Sequence, residues 1–528
     1  VAGGSGDGKT ALSDQLRPVV AAAGGRFVAG KFDQYGRDTS GDGVHHVLTG
    51  IARLLLAQPP EVLDETRERL LVALGANAEL VRVVPEMAVL LGLGVDEGVA
   101  AGQSPEGLSD PRLVEARAQR AVVATLAAVA SPAHPLVIFL DDLQWAGPTP
   151  LGVLDTVLLE PGLAGVLVVG AYRPGEVDPT HPLTGMLDRW SRLNAAPRTV
   201  TLANLPPAEV GGLLAQMLRL APAATGQLAE AVTAHTEGNP FDTITLVNAL
   251  RNDGVLTLGQ QGWCWEPGQI RRYVGSGDVL DLLQARIAAL PAPCSALLAT
   301  LACLGSQVPL SQLALTATGE TAVIEQDLTP ALEDGLLVMV RDPGGDLVRF
   351  RHDRVQQAAY AAMDADQRVE LHLVVARRLA DHPECAGAAA QQYLCAVGSI
   401  DDPGECRRVA TLFHQAAVGM RLTDAATAER LLGAGIDLLG RTETSDIADL
   451  LLALVTERHR MLYGLGRLDD ADVAYAEIER RCVDPVDLLP PTTLQVASLD
   501  NRQRHTEAVA LGVDLLSRIG ITTGADSE

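Results

Sequence analysis

Apolar residues in the first 203 positions fall into short unbroken runs, separated by longer stretches with helical spacing. Val137-Ile-Phe-Leu140 and Val166-Leu-Val-Val169 contain no polar break, and Arg26-Phe-Val-Ala29 is a shorter run between glycines. A strand covered on both faces has no solvent side, so its sequence does not alternate; parallel sheets flanked by helices are built this way. Residues 1–203 are therefore expected to form an α/β sandwich. The longest uncharged stretch, 121–140, is broken by Pro132, His134 and Pro135. It predicts a helix end followed by a buried strand, not a membrane span.

Beyond residue 203 the period lengthens. Leu213, Leu214, Met217 and Leu218 share one helical face, and the 204–277 region is expected to be a small helical lid, with a brief β excursion at Trp263-Cys-Trp265. In 278–363, helical spacing gives way to two apolar runs, 335–341 and 346–350, around a Pro343-Gly-Gly345 turn. Helices followed by a hairpin predict a winged-helix unit. The remainder, 364–528, is helical throughout. Met420-Arg-Leu-Thr-Asp-Ala425, Gly466-Arg-Leu-Asp-Asp-Ala471 and Arg504-His-Thr-Glu-Ala508 each join two apolar helical stretches. A small residue recurring where antiparallel helices cross predicts an all-α, tetratricopeptide-like (TPR-like) solenoid. The predicted fold is thus an α/β sandwich followed by a helical lid, a winged helix and TPR-like helical repeats.

Composition narrows the partners. Lys plus Arg number 41 against 66 Asp plus Glu, a net charge of −25, and no basic run occurs. Such a surface repels a phosphodiester backbone, so nucleic acid is not an expected partner. The seven cysteines are scattered without a C-x-x-C pair, the usage of a reduced, cytoplasmic protein. The first residue is Val1, only two positions before a glycine-rich loop, so the first strand is expected to be truncated and the chain to be a fragment of a longer one.

Gly3-Gly-Ser-Gly-Asp-Gly-Lys9-Thr10 satisfies G-x-x-x-x-G-K-[ST], which makes the predicted class of the sandwich an α/β P-loop NTPase. Gly3, Gly6 and Gly8 let the backbone turn its N–H groups around a polyphosphate, and the helix that follows offers its positive end. Lys9 is then placed on the β- and γ-phosphates and the Thr10 hydroxyl on Mg²⁺. Val137-Ile-Phe-Leu-Asp141-Asp142 ends a buried strand in two acids, Asp141 for the metal and Asp142 for polarising the attacking water. Arg173 follows the third run, on the ligand side of an open α/β sheet, where it either senses a γ-phosphate or pairs with Glu176. His352, after the hairpin, either reaches the nucleotide phosphates or caps the next helix. His45-His46 is read as a solvated turn pair, and no histidine shows metal-ligand spacing.

Gly30-Lys-Phe-Asp-Gln34, Val84-Pro-Glu86, Asp141-Asp-Leu-Gln-Trp-Ala146, Gly170-Ala-Tyr-Arg173, Gly238-Asn-Pro-Phe241 and His352-Asp-Arg-Val-Gln-Gln-Ala-Ala-Tyr360 occur in this order. The series resembles the AAA-like ATPase module of large bacterial proteins that combine a serine/threonine kinase, an ATPase and a sensor histidine kinase. That module is itself similar to the STAND class of signal-transduction ATPases. The resemblance implies ATP/ADP and Mg²⁺ as cofactors, with Lys9, Thr10, Asp141, Asp142, Arg173, Pro240 and His352 lining or closing the site. Pro240, with its fixed φ after a Gly-Asn turn, would present a rigid edge to adenine or ribose. It also implies protein partners on the helical repeats, and kinase and histidine-kinase or cyclase domains outside this chain. The chain departs from the family pattern at Gly147, usually an acid, at Asp242, usually aromatic, and over 38–43.

The function expected from these features is a slowly hydrolysing ATPase switch in which nucleotide state sets the packing of the winged helix and repeats. The alternatives are a nucleotide-bound scaffold without turnover and a DNA-associated AAA+ ATPase, the latter opposed by the acidic surface.

Overall fold

The computed structural model describes residues 1–32, 43–75, 84–92, 110–193, 195–259, 262–274, 279–317, 319–341, 345–441 and 447–521. Its amino-terminal layer is a parallel three-stranded sheet in the order β1 (Arg26–Lys31), β2 (Leu136–Asp141), β3 (Val166–Gly170). The unbroken apolar run of β2 is buried along its whole length, as a central strand between helical layers requires. The register aligns Lys31 with Asp141 and Leu140 with Gly170, so all three strands deliver their carboxyl ends to one edge. Helices Gly43–Leu56, Pro85–Leu91, Pro111–Val129, Pro148–Leu159 and Pro182–Arg192 cover the faces, and Leu48, Ile51, Leu126, Ile138 and Leu151 meet in one core.

Two expectations for this layer are corrected. β3 is not buried on both faces, and Leu167 is 52% exposed. Beyond β3 the ladder continues through Ala2, which bridges Tyr172 and Thr201, so β3 has no full-length outer neighbour among the described residues. His45 and His46 lie not in a turn but in the helix Gly43–Leu56, whose opposite face buries Val47, Leu48, Ile51 and Leu55. Two adjacent polar residues carry no periodicity of their own, which is why the helix was hidden there.

Helices Pro207–Leu218, Gly226–Thr236 and Pro240–Asn252 pack around Val210, Leu214, Leu228, Val232, Leu246 and Leu250. A hairpin of β4 (Thr257–Gly259) and β5 (Gly262–Cys264) follows, at the predicted tryptophans. The next unit places four helices, Val279–Ala288, Ala292–Leu304, Leu310–Ala317 and Thr321–Glu333, with an antiparallel sheet. That sheet runs β6 (Gln307–Pro309), β8 (Leu347–Phe350), β7 (Leu337–Val340). The Pro343-Gly344 part of the expected turn lies outside the described residues. Helix Asp353–Ala361 leaves β8 and packs back on helices Val279–Ala288 and Ala292–Leu304.

From residue 365 the helices run as packed pairs: Ala365–Ala380 with Ala386–Cys395, Pro403–Met420 with Ala425–Gly440, Ala448–Gly464 with Leu468–Arg481, and Leu489–Asn501 with His505–Arg518. Ala471 and Ala508 are the buried small residues at two crossings. At the first, Ala428 is buried and Ala425 only partly. The Asp424 side chain accepts from the Thr427 N–H and caps the helix, which puts Ala425 in its first turn and moves the close approach one turn onward.

The repeats fold back onto the sheet layer at Tyr463, which is fully buried. Arg112 donates to the Tyr463 carbonyl at 3.2 Å, and its guanidinium carbon lies 4.6 Å from the centre of the Tyr463 ring. The Tyr463 hydroxyl donates to Asp110 at 3.3 Å and accepts from Asn501 at 3.2 Å. Tyr463→Ala should cost about 3–5 kcal/mol, the usual result of emptying a buried aromatic site. Tyr463→Phe should unfold at nearly the wild-type temperature yet expose the segment around Asp110 to limited proteolysis. Protection equal to wild type in the Phe variant would show that the hydroxyl does not hold this contact.

Candidate functional site

The glycine-rich loop opens the sheet edge. Gly6 and Gly8 have φ of 88° and 91°, a left-handed conformation that L side chains rarely adopt. A Cβ on Gly6 would also strike the side-chain oxygen of Asn239. Gly3 is buried and takes no positive φ. Helix Lys9–Asp14 starts at the end of the loop. Lys9 is buried and its ammonium folds over the loop, donating to the carbonyls of Gly3 at 3.0 Å and Gly4 at 2.8 Å. Burial and the nearby Arg173 hold its pKa below the ordinary lysine value. The Thr10 hydroxyl donates to Asp141 Oδ2 at 2.6 Å, joining loop to β2.

Immediately after β2 the backbone turns sharply at Asp142, a non-glycine residue with φ of 58°. Its carboxylate is buried among charges. Lys31 Nζ is 3.3 Å from Oδ2, an Arg173 terminal nitrogen is 3.5 Å from Oδ1, and Gln144 donates to Oδ1 at 2.9 Å. Burial and the Asp353 carboxylate push the Asp142 pKa up to about 6, against the lowering effect of Lys31 and Arg173.

Asp353 opens the helix Asp353–Ala361 and enters this cluster from the helix-and-hairpin unit. It pairs with Lys31 at 2.5 Å and with Arg173 at 2.7 Å. Burial alone would raise its pKa, but Lys31, His352 and Arg173 outweigh that and hold it below the usual carboxylate range. The neighbouring Arg354 pairs with Asp242 and donates to the Ser5 carbonyl at 3.4 Å. Asn239 caps the helix Pro240–Asn252 and also donates to the Ser5 carbonyl at 2.9 Å and to Asp7 Oδ1 at 3.1 Å. Three parts of the fold thus converge on the glycine loop.

The structure brings Gly3, Gly6, Gly8, Lys9, Thr10, Asp141, Asp142 and Arg173 to one edge, with Pro240 and His352 flanking it. Of the two arrangements considered for Arg173, the pairing with Glu176 is present at 2.9 Å, and Arg173 pairs with Asp142 and Asp353 as well. His352 caps its helix, Nδ1 accepting from the Arg354 N–H at 3.2 Å, while its ring stacks on Phe241 at 3.9 Å between centroids. Pro240 is the first residue of its helix, one position before Phe241, whose N–H donates to the Gly6 carbonyl. Sequence reasoning gave no role to Lys31, Gln144, Asn239, Asp353 or Arg354, although each lies within a run that carried the family resemblance. Asp242, one of the departures, is the partner of Arg354. Among the described residues no cluster of three or more His, Cys, Asp or Glu could hold a metal ion. Thr10 and Asp141 alone would leave most of a magnesium shell to phosphate and water, as is usual for that ion.

Burial drives the His352 pKa down to about 4, with Lys31, Arg354 and Arg173 adding to the fall against Asp353. The folded protein keeps this ring neutral, while the unfolded chain protonates near the ordinary histidine value of about 6.5. Its contribution to stability is therefore full above pH about 6.5 and is lost as pH falls towards about 4. His352→Asn keeps a cap acceptor and cannot titrate. Thermal unfolding followed from pH 7 to 5 should show a steeper loss for wild type than for this variant; parallel curves would contradict the assignment.

Residues 1–169 match the model of the family described as the AAA ATPase domain. The chain is 22% identical over 481 residues to a hybrid signal transduction histidine kinase G of Dictyostelium discoideum, covering 72% of this chain and 14% of that much longer protein. Among solved structures it aligns with a signal transduction ATPase with numerous domains (STAND) protein with a tetratricopeptide repeat sensor from Pyrococcus horikoshii. That alignment has 14% identity and a TM-score of 0.40, over 98% of this chain and 67% of the other. In its sheet layer and glycine loop the chain is similar to the AAA ATPase domain family, in keeping with the resemblance to STAND-type signalling ATPases that its motifs carry.

Proposed function

We propose that this chain is an ATP-operated signalling switch, hydrolysing slowly, in which bound nucleotide sets how the helix-and-hairpin unit, read as a winged helix, and the repeats pack on the ATPase core. The observation that carries this is the position of Asp353. Its carboxylate lies between Lys31 and Arg173, two cations at the edge where a P-loop protein places the terminal phosphate. A phosphate oxygen and a carboxylate are recognised by the same charge-assisted hydrogen bonds. Nucleotide and Asp353 therefore compete for one pair of cations. Reversing a two-state balance from 1:99 to 99:1 takes ~5.5 kcal/mol. Charge-assisted bonds contribute roughly 1.5–3 kcal/mol each, so two to four exchanged contacts suffice.

The residues suit a nucleotide with magnesium. Ser5 Oγ and Arg173 Nε are buried polar atoms without a partner among the described residues, the kind of group that an anion at this edge would satisfy. Thr10 and Asp141 would hold the ion, which supplies charge neutralisation at the phosphates. Lys9 would leave the Gly3 and Gly4 carbonyls for the phosphates, Asp142 would take a proton from the attacking water, and Pro240 with His352 would bound the nucleotide's other side.

A second reading, a nucleotide-bound scaffold without turnover, is favoured by one observation: Asp142 is engaged by Lys31, Arg173 and Gln144, contacts that compete with an attacking water for its carboxylate. In either case the repeats would recruit protein partners. A role in signalling, with kinase and histidine-kinase or cyclase domains on the same polypeptide, follows the family resemblance. Cytoplasmic residence accords with cysteines that are scattered without a C-x-x-C pair. No described helix is long and apolar enough to cross a membrane.

Single-turnover hydrolysis and equilibrium nucleotide binding separate the two readings. Lys9→Ala should weaken ATP binding by about tenfold or more, the loss of at least one charged contact. Asp142→Asn should bind within a few-fold of wild type and cut hydrolysis by about 100-fold, in the range of a lost general base. Stoichiometric binding with no phosphate release from wild type would establish the scaffold instead.

A further inference from the structure

We propose that Gln144 is a positioning residue of this site, its side-chain amide fixing the Asp142 carboxylate with one end and the Arg173 backbone with the other. The inference rests on the hydrolysing switch proposed above. Gln144 lies in the single helical turn Leu143–Trp145 that follows the two aspartates, and it is buried. Its Nε2 donates to Asp142 Oδ1 at 2.9 Å, and its Oε1 accepts from the Arg173 N–H at 3.1 Å. The opposite orientation of the amide would set oxygen against carboxylate and NH₂ against N–H, so the two contacts determine each other. The turn is itself tied down, since His181 Nε2 donates to the Gln144 carbonyl at 2.8 Å. The other ring nitrogen, Nδ1, accepts from the Leu183 N–H, which fixes the tautomer.

The consequence is geometric. Oδ1 of Asp142 is occupied by Gln144 and faced by Arg173, while Oδ2 faces Lys31, whose side chain is 38% exposed. Oδ2 is therefore the oxygen left to meet a water. In the step it would serve, the water oxygen bonds to the terminal phosphorus as one O–H proton passes to Oδ2. The bond from phosphorus to the bridging oxygen breaks, and the electron pair stays on the departing diphosphate. Trp145, the next residue, lays its ring 4.7 Å from the Arg173 guanidinium carbon. Residues 144 and 145 thus grip Arg173 at backbone and head while one of them also aims the base. An apolar side chain would fill the same space without a polar group to satisfy, so simple packing does not account for an amide here.

The test uses the whole chain with Gln144→Leu, which removes both contacts, and Gln144→Glu. The Glu variant keeps the shape and the acceptor for Arg173 but turns an oxygen towards Asp142. Affinity for a fluorescent ATP analogue, KM and single-turnover rate are measured for each, beside thermal unfolding. Expected is a fall in kcat of about 10- to 100-fold for Gln144→Leu, with KM and analogue affinity within about threefold of wild type, as befits a bond that orients a reacting group. Gln144→Glu should be at least as slow, despite its matching shape. If a variant binds the analogue normally and hydrolyses ATP within about threefold of wild type, the positioning role is overturned and the switch stands. A loss confined to thermal stability, with kcat kept, likewise reduces Gln144 to packing. If wild type itself releases no phosphate, the hydrolysing switch fails and this role falls with it.

Discussion

Two cations, Lys31 and Arg173, are shared by three carboxylates at the end of the sheet, and the arrangement of the molecule follows from that shortage. Asp142 belongs to the ATPase edge, Glu176 to the loop after β3, and Asp353 to a unit more than three hundred positions along the chain. In a site largely withdrawn from water each ion pair is worth more than on the surface, and an unpaired charge costs more. The cluster is stable only while positive charge roughly matches negative. On the proposed reading, the phosphates of a nucleotide would overturn that balance, and the negative group free to leave would be the one on a separate unit. Asp142 and Glu176 are fixed by the sheet and its loop; Asp353 is fixed only by how its helix docks.

Docking is reinforced away from the charges. Arg354 reaches Asp242 and the Ser5 carbonyl, His352 stacks on Phe241, and Asn239 holds the outer side of the glycine loop. The helix that carries Pro240 and Phe241 is therefore the intermediary: its N-terminal end touches both the glycine loop and the start of the helix after β8. A change in the loop's shape on taking up phosphates would be felt first by Asn239 and Gly6, which pack so closely that no side chain fits between them. Asp242 strengthens this path with an ion pair at a position where the family pattern has an aromatic ring.

The order of strands and helices was legible because burial leaves a periodic trace. The unbroken run of β2, the helical face at Leu214 and Leu218 and the paired helices after 365 all advertise their environments through spacing. So did the two segments that meet at the candidate site, because a glycine loop and a strand-terminal acid pair need fixed residue types at fixed intervals. The interior of the site was less legible for a physical reason. Lys31 and Asp353 are lone charges whose meaning depends on tertiary proximity across 322 positions, and no local spacing encodes it. Gln144 is similar: its amide acts on Asp142 two residues away and on Arg173 across the next strand. β3 is more open than its apolar run suggested, because such a run records the potential for burial and not how completely each face is covered. His45 and His46 show the converse, polar residues on the outer face of a helix whose inner face did the folding.

The repeats are bound to this site more tightly than a linker would bind them. Helix Ala365–Ala380 contributes Val375 and Leu379, and helix Ala386–Cys395 contributes Ala388 and Ala389, to the same core that holds β8 and helix Asp353–Ala361. A buried chain of hydrogen bonds runs through that core, from the Tyr360 hydroxyl to His372 at 3.1 Å, from His372 to Gln392 at 2.7 Å, and from Gln392 to the Cys303 carbonyl at 2.9 Å. Interiors of this density transmit displacement and do not absorb it. The first repeat therefore moves with Asp353 unless the core itself breaks. Farther along, Tyr463 returns the repeats to Arg112, at the start of the helix that precedes β2. Withdrawing Asp353 from Lys31 and Arg173 thus requires either release of the Tyr463 contact or bending of the repeats between residues 395 and 463. The helix pairs in that interval join through separate interhelical surfaces, so bending is distributed over several, whereas the Tyr463 contact is concentrated at one helix end.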